Sequence, residues 1–384
     1  MPAPAHAAQG AHGELDVDAI LADRSIEIIV CCGAGGVGKT TTSAALALRA
    51  AEAGRKAVVL TIDPARRLAQ SLGLGELDNT PRPVSGIDTS TGGSLDAAML
   101  DMKRTFDEVV LAHTTPEKAA QILRNPFYVA LSSSFAGTQE YMAMEKLGQL
   151  HQQSKADGRW DLIIVDTPPA RSALDFLDAP EHLSSLLEGR FLRLLLAPAR
   201  GPLRLMSVGF NLVSSAMNKI LGGQIITDVQ TFATAFETLF GGFRQRAQQT
   251  FNLLASEHTT FVVVATAEAD ALREAAYFVD RLDEESMPLS GLVVNRVHRT
   301  ELQLSAGRAQ ALAEELDPER QPVASVALHQ HAALMQVIER ERILLDRFAA
   351  ARTRILTTRV QALQTDVSDL DSLRLVGHLL ATQD

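Results

Sequence analysis

Cysteine is nearly absent: the 384 residues hold two, and they are neighbours, Cys31 and Cys32. Adjacent residues on a strand point to opposite faces, so this pair suits neither a shared metal nor a structural disulfide. With no disulfide framework, the sequence predicts a reducing, cytoplasmic location. Basic charge is also short, 36 Lys and Arg against 46 Asp and Glu, for a formal net charge of −10. That balance argues against nonspecific binding to nucleic acid or to anionic membranes. No uninterrupted apolar run reaches the roughly 18 residues that a membrane span needs. Residues 1–13 are rich in Ala, His, Pro and Gly and lack the basic start and apolar centre of a signal peptide. The whole of 1–25 reads as a flexible N-terminal tail.

What is there is a hydrophobic share of 46%, enough for a sizeable core and too much for a disordered chain. One stretch organises the rest. The β-branched run Ile26-Glu27-Ile28-Ile29-Val30 leads into Gly33-Ala34-Gly35-Gly36-Val37-Gly38-Lys39-Thr40-Thr41, which opens onto a helical pattern over Ser43–Ala53. Strand, glycine loop and helix form the setting in which G-x-x-x-x-G-K-[ST] means a phosphate cradle. Glycines let backbone N–H groups turn toward an anion, and the start of the helix adds its positive dipole end. Lys39 is expected on the β- and γ-phosphates of ATP, and the Thr40 hydroxyl on Mg²⁺.

Further along, Ala57–Asp63 reads as a buried strand ending in a carboxylate, and so does Trp160–Asp166, followed by Thr167-Pro168-Pro169. An apolar strand ending in Asp beside a phosphate loop has the pattern of a magnesium-holding residue. The segment Leu95–Asp101 is a candidate short strand, and Thr260–Thr266, Leu289–Arg296 and Arg354–Leu363 continue the sheet. Asn295, at a strand's carboxyl end, is either an amide facing a nucleobase or a turn-capping side chain. Helical patterning covers Met102–Gln153 with breaks near Pro116, Pro126 and Gly137, then Ala271–Leu282 and Glu301–Arg354. Helical insertions are expected at about 102–156 and 183–249. In the second, Met206, Phe210, Val213, Met217 and Ile220 fall on one helical face. That stripe suits the protein's own core, a dimer surface or a client's apolar segment. Alternating strands and helices predict an α/β fold, a doubly wound and mostly parallel sheet over residues 26–384.

The glycine loop, Asp63-Pro64-Ala65, Asp166-Thr167-Pro168-Pro169 and Val294-Asn295, in that order, resemble the ArsA and guided-entry family of P-loop ATPases, relatives of MinD and nitrogenase iron protein. The resemblance implies a Mg-ATP-dependent, nucleotide-gated dimer that couples hydrolysis to a protein client or partner. It assigns phosphate and Mg²⁺ roles to Lys39 and Thr40, placement of the attacking water to Asp63, Mg²⁺ to Asp166 and adenine reading to Asn295. It also sets the insertions where guided-entry ATPases form a groove for hydrophobic membrane-anchor helices. The chain departs from the family at four points. Ala34 stands where a lysine usually reaches the partner's phosphates, which implies a heterodimer with a lysine-bearing paralogue or a weakly active homodimer. Arg66, Arg67 and Arg171 are candidate substitute cations. Arg171-Ser172-Ala173-Leu174-Asp175 replaces the usual second-switch segment. No Cys-x-x-Cys pair exists, so no zinc site is expected, and Gln364 and Thr365 replace the adenine-loop prolines.

Overall fold

The computed structural model describes residues 13–63, 67–125, 128–129, 132, 138–168, 242, 245–317 and 319–382. Its frame is one eight-stranded sheet: β1 (Ile28–Gly33), β2 (Lys56–Thr61), β3 (Arg82–Pro83), β4 (Ser94–Met99), β5 (Leu162–Asp166), β6 (Thr259–Thr266), β7 (Leu289–Val297) and β8 (Thr357–Gln361). The order across the sheet is β3-β4-β2-β5-β1-β6-β7-β8. Every pairing is parallel except that of the two-residue β3 with β4. Strands β1, β5 and β6 are buried along their whole length, as their unbroken apolar runs require when helices cover both faces. This is the doubly wound α/β fold that the sequence predicts.

Register lines up the strand ends that matter. Asp166 lies opposite both Cys31 and Thr61, and Gly33 lies opposite Val264. Asn295 pairs with Thr266 at the end of the β6–β7 ladder. Ligands gather outside the carboxyl ends of such strands, where the order of the chain reverses. The helix Lys39–Glu52 packs ten of its fourteen residues into the interior, five of them alanines, which let it lie close to the sheet. Its N-cap is Gly38 at φ 98°, with no side chain capping the first turn.

Residues 13–25 correct the expectation of a flexible tail over 1–25. The Leu15 N–H bonds to Thr357 O at 3.3 Å, and the Thr357 N–H bonds to Gly13 O at 3.2 Å, so the chain runs along the outer edge of β8. A short helix, Val17–Ala22, follows, with the Asp16 side chain accepting the Ala19 N–H. Leu15, Val17, Ile20 and Leu21 are buried. They are held by Arg55, itself 1% exposed, which donates to the carbonyls of Leu21, Asp23 and Ile26 and to Asp161. Near the other end, Asp369 caps the helix Leu370–Ala381 in a reciprocal box with Ser372.

Contacts divide the chain into two compact units. The sheet belongs to the first, made of Met1–Met99, Gly158–Ala173 and Leu254–Asp384. The second comprises Leu100–Asp157 and Leu174–Leu253. It contains the helices Met102–His113, Pro116–Arg124 and Thr138–Asp157. There a buried Glu145 accepts from Arg246 at 3.0 Å and from Tyr141 at 3.1 Å. The stripe from Met206 to Ile220, and Arg66 and Arg171–Asp175, lie outside the described residues. Among the described residues no helix is long and apolar enough to cross a membrane.

Candidate active site

Three strand ends and one loop converge. The loop leaves β1 at Gly33, whose φ of 146° and close approach to β6 both demand glycine: a Cβ there would meet Val264 O at 2.1 Å. The backbone N–H groups of Gly36, Val37 and Gly38 have no hydrogen-bond partner among the described residues. Together with the uncapped first turn of the helix Lys39–Glu52, they form a run of unsatisfied donors. Such a run is what an anion binds. The Lys39 ammonium, 6% exposed, donates to Gly33 O at 2.9 Å and Ala34 O at 2.7 Å. Burial pulls its pKa down, against the raising effect of the nearby Asp166 charge.

Asp166 is fully buried. Its Oδ2 accepts from Thr40 Oγ1 at 2.7 Å and from Thr61 Oγ1 at 2.8 Å, while Oδ1 has no partner. Burial raises its pKa to about 6, and the two hydroxyl bonds and the Lys39 charge work against that rise. A buried carboxylate oxygen without a partner, next to a hydroxyl and a phosphate cradle, is a hard-oxygen donor set that fits Mg²⁺ shared with a phosphate. Thr40 and Asp166 are the residues that would hold it. Among the described residues no cluster of three His, Cys, Asp or Glu forms a protein-only metal cage. Mg²⁺ does not need one, since it keeps waters and phosphate oxygens as ligands.

Thr61 links the backbone beyond β2 to the carboxylate that ends β5. Its hydroxyl accepts the Asp63 N–H at 3.2 Å and donates to Asp166 Oδ2. Asp63 is half-buried beyond the end of β2. On the other flank, Asn295 Nδ2 donates to Val37 O at 2.9 Å, and Arg296 donates from its guanidinium to Gly36 O at 3.2 Å. Lys39, Thr40, Asp63, Asp166 and Asn295 thus surround one loop. Gly33 and Ala34 leave the strand buried, Gly35 and Gly36 are exposed at the loop's tip, and Thr41 lies in the first turn of the helix.

Residues 26–314 match the anion-transporting ATPase family, ArsA ATPase. The chain belongs to that family. It is 27% identical over 277 residues to ATPase GET3 of Lachancea thermotolerans, spanning 69% of this chain and 70% of that one. It is 26% identical over 296 residues to ATPase ASNA1 homolog 2 of Paramecium tetraurelia, spanning 72% and 78% respectively. As an ArsA-family member the protein is an ATP-hydrolysing enzyme with a nucleotide substrate, and its P-loop fold agrees with the resemblance read from the motifs.

Sequence reasoning missed two side chains that bond within this cluster. Thr61 stands two residues before Asp63, on a strand whose apolar run hides a polar residue's purpose. Arg296 sits next to Asn295, but its partner Gly36 is 260 residues away. Of the three arginines considered as extra cations, Arg67 is exposed at the start of the helix Arg67–Ser71, and the other two are not described.

Proposed function

We propose that this ArsA-family ATPase binds Mg-ATP in the loop 33–41 and hydrolyses it with water positioned by Asp63. The observation that carries the reading is the row of partnerless amides at Gly36–Gly38 next to the unpaired Oδ1 of Asp166. The amides and the Lys39 ammonium bind the phosphates, the lysine giving up its two carbonyl partners for them. Thr40 and Asp166 would hold Mg²⁺, which would neutralise charge on the phosphate oxygens. Asp63 holds water for in-line attack on the γ-phosphate, and Thr61 passes any shift of Asp63 to Asp166. Replacing Asp63 with Asn is expected to slow single-turnover hydrolysis at least about 100-fold while Mg-ATP still binds. An unchanged rate would remove Asp63 from the role.

The working unit is a nucleotide-gated dimer in the cytoplasm whose closure changes its grip on a protein client. The names GET3 and ASNA1 borne by two relatives support a guided-entry function, with a hydrophobic membrane-anchor helix as client. Pull-down of a transmembrane peptide, compared between the parent and the variants Met206→Asp and Phe210→Asp, tests that client; equal capture by all three counts against it.

A second reading rests on Ala34. Its side chain is 7% exposed and belongs to the core, so position 34 offers no cation to a neighbouring subunit. The chain then serves as a slow regulatory subunit of a heteromer whose other member keeps the lysine. Turnover measured alone and with a lysine-bearing paralogue separates the two, because a homodimer needs no addition.

A further inference from the structure

Two neighbouring side chains of β7 grip two consecutive carbonyls of the phosphate loop: Asn295 Nδ2 bonds to Val37 O at 2.9 Å and Arg296 to Gly36 O at 3.2 Å. We infer that Asn295 and Arg296 are positioning residues that set the loop in its anion-accepting form. The inference rests on the nucleotide-binding reading of this loop and deepens it. No cis peptide occurs among the described residues. In a planar trans peptide the C=O of one residue and the N–H of the next point in opposite directions. Drawing the Gly36 and Val37 carbonyls toward β7 therefore turns the Val37 and Gly38 N–H groups away from it, into the hollow of the loop. Those are two of the three loop amides left without a partner. A flipped peptide would instead aim a carbonyl dipole at the phosphate.

The surroundings fix this arrangement. Asn295 Oδ1 accepts the Arg296 N–H at 2.9 Å, which leaves the Nδ2 end of the amide facing Val37. The fit is close: a Cβ on Gly38 would come within 2.1 Å of Asn295 Nδ2. Arg296 holds φ 60°, a left-handed conformation that a long side chain seldom adopts without compensating contacts. Its bond to Gly36 is such a contact. The amide of Asn295 thus serves the phosphate loop, a role beside the two considered from sequence, base reading and turn capping.

The test uses the full chain and three magnesium-loaded probes, tripolyphosphate, ATP and GTP, titrated by calorimetry. Asn295→Ala and Arg296→Ala are each expected to weaken tripolyphosphate and ATP by the same factor, about five-fold, the loss of one ordinary hydrogen bond. The ATP-to-GTP preference stays as in the parent protein, and Arg296→Lys restores most of the affinity. Asn295→Asp keeps the shape but faces Val37 O with an acceptor; it is expected to lose at least as much as the alanine variant. Unchanged tripolyphosphate affinity in these variants overturns the inference, and a loss confined to ATP makes Asn295 a base reader. Failure of the parent protein to bind any of the three probes removes the nucleotide reading itself.

Discussion

The Thr61 hydroxyl donates to Asp166 Oδ2 at 2.8 Å while accepting the backbone N–H of Asp63. One side chain thereby joins the ends of β2 and β5. Thr61→Val keeps the shape and removes the donor from a buried carboxylate. It is expected to cost about 2 kcal/mol in chemical denaturation. Thr61→Ser should behave like the parent.

Gly33 admits no substitute. A methyl at this position would sit 2.1 Å from Val264 O, a backbone atom of a fully buried strand, and φ is 146°. Gly33→Ala is expected to lose at least about 3 kcal/mol through backbone strain and displacement of β6. Nucleotide binding measured by calorimetry should disappear with it. Gly36, whose Cβ would meet nothing within 4 Å, makes the contrast. At φ 76° its alanine variant bears backbone strain alone and should be milder.

Both thiols are buried, and burial pushes the Cys31 thiol up to about 12 and raises that of Cys32 as well. Neither should react with iodoacetamide in the native protein at neutral pH, because thiolate is the reactive form. Labelling then reports opening of β1. Mg-ATP at 100 times its dissociation constant is expected to slow it about 100-fold, provided that the opened form does not bind. Mass spectrometry of alkylated peptides over time measures this directly.

Arg55 is the clasp of the N-terminal segment. It donates to three carbonyls in residues 21–26 and to the backbone and carboxylate of Asp161. Arg55→Met strips the buried Leu21 and Ile26 carbonyls of their donor, while Asp161 keeps Arg24 and the Lys56 N–H. A loss of about 3 kcal/mol is expected. Residues 14–25 should become open to limited proteolysis before the rest of the sheet.

The central part of the fold was legible because its signals are local. An apolar strand, a glycine loop and an alanine-rich helix follow one another within residues 28–52. Strand-end carboxylates were equally plain at Asp63 and Asp166, since each breaks an apolar run. The missing parts depend on distant partners. Leu15, Val17, Ile20 and Leu21 follow neither strand nor helix periodicity for long. They are ordered by Arg55 and by the edge of β8, which no local pattern reveals. Strand β3 is two residues long and includes Pro83, so it carried no strand signal at all. Arg296 carried no signal of its own, because its partner Gly36 lies 260 residues away.

The pairing of residues 13–15 with Thr357 also bears on how the protein is handled at the bench. The family match begins at residue 26, a tempting place to start a shortened version. Cutting there would strip the lining from β8 and bare its hydrogen-bonding rim, an invitation to sheet-to-sheet clumping. Expression trials that begin at residue 13 or earlier should stay monodisperse where those that begin at residue 26 precipitate.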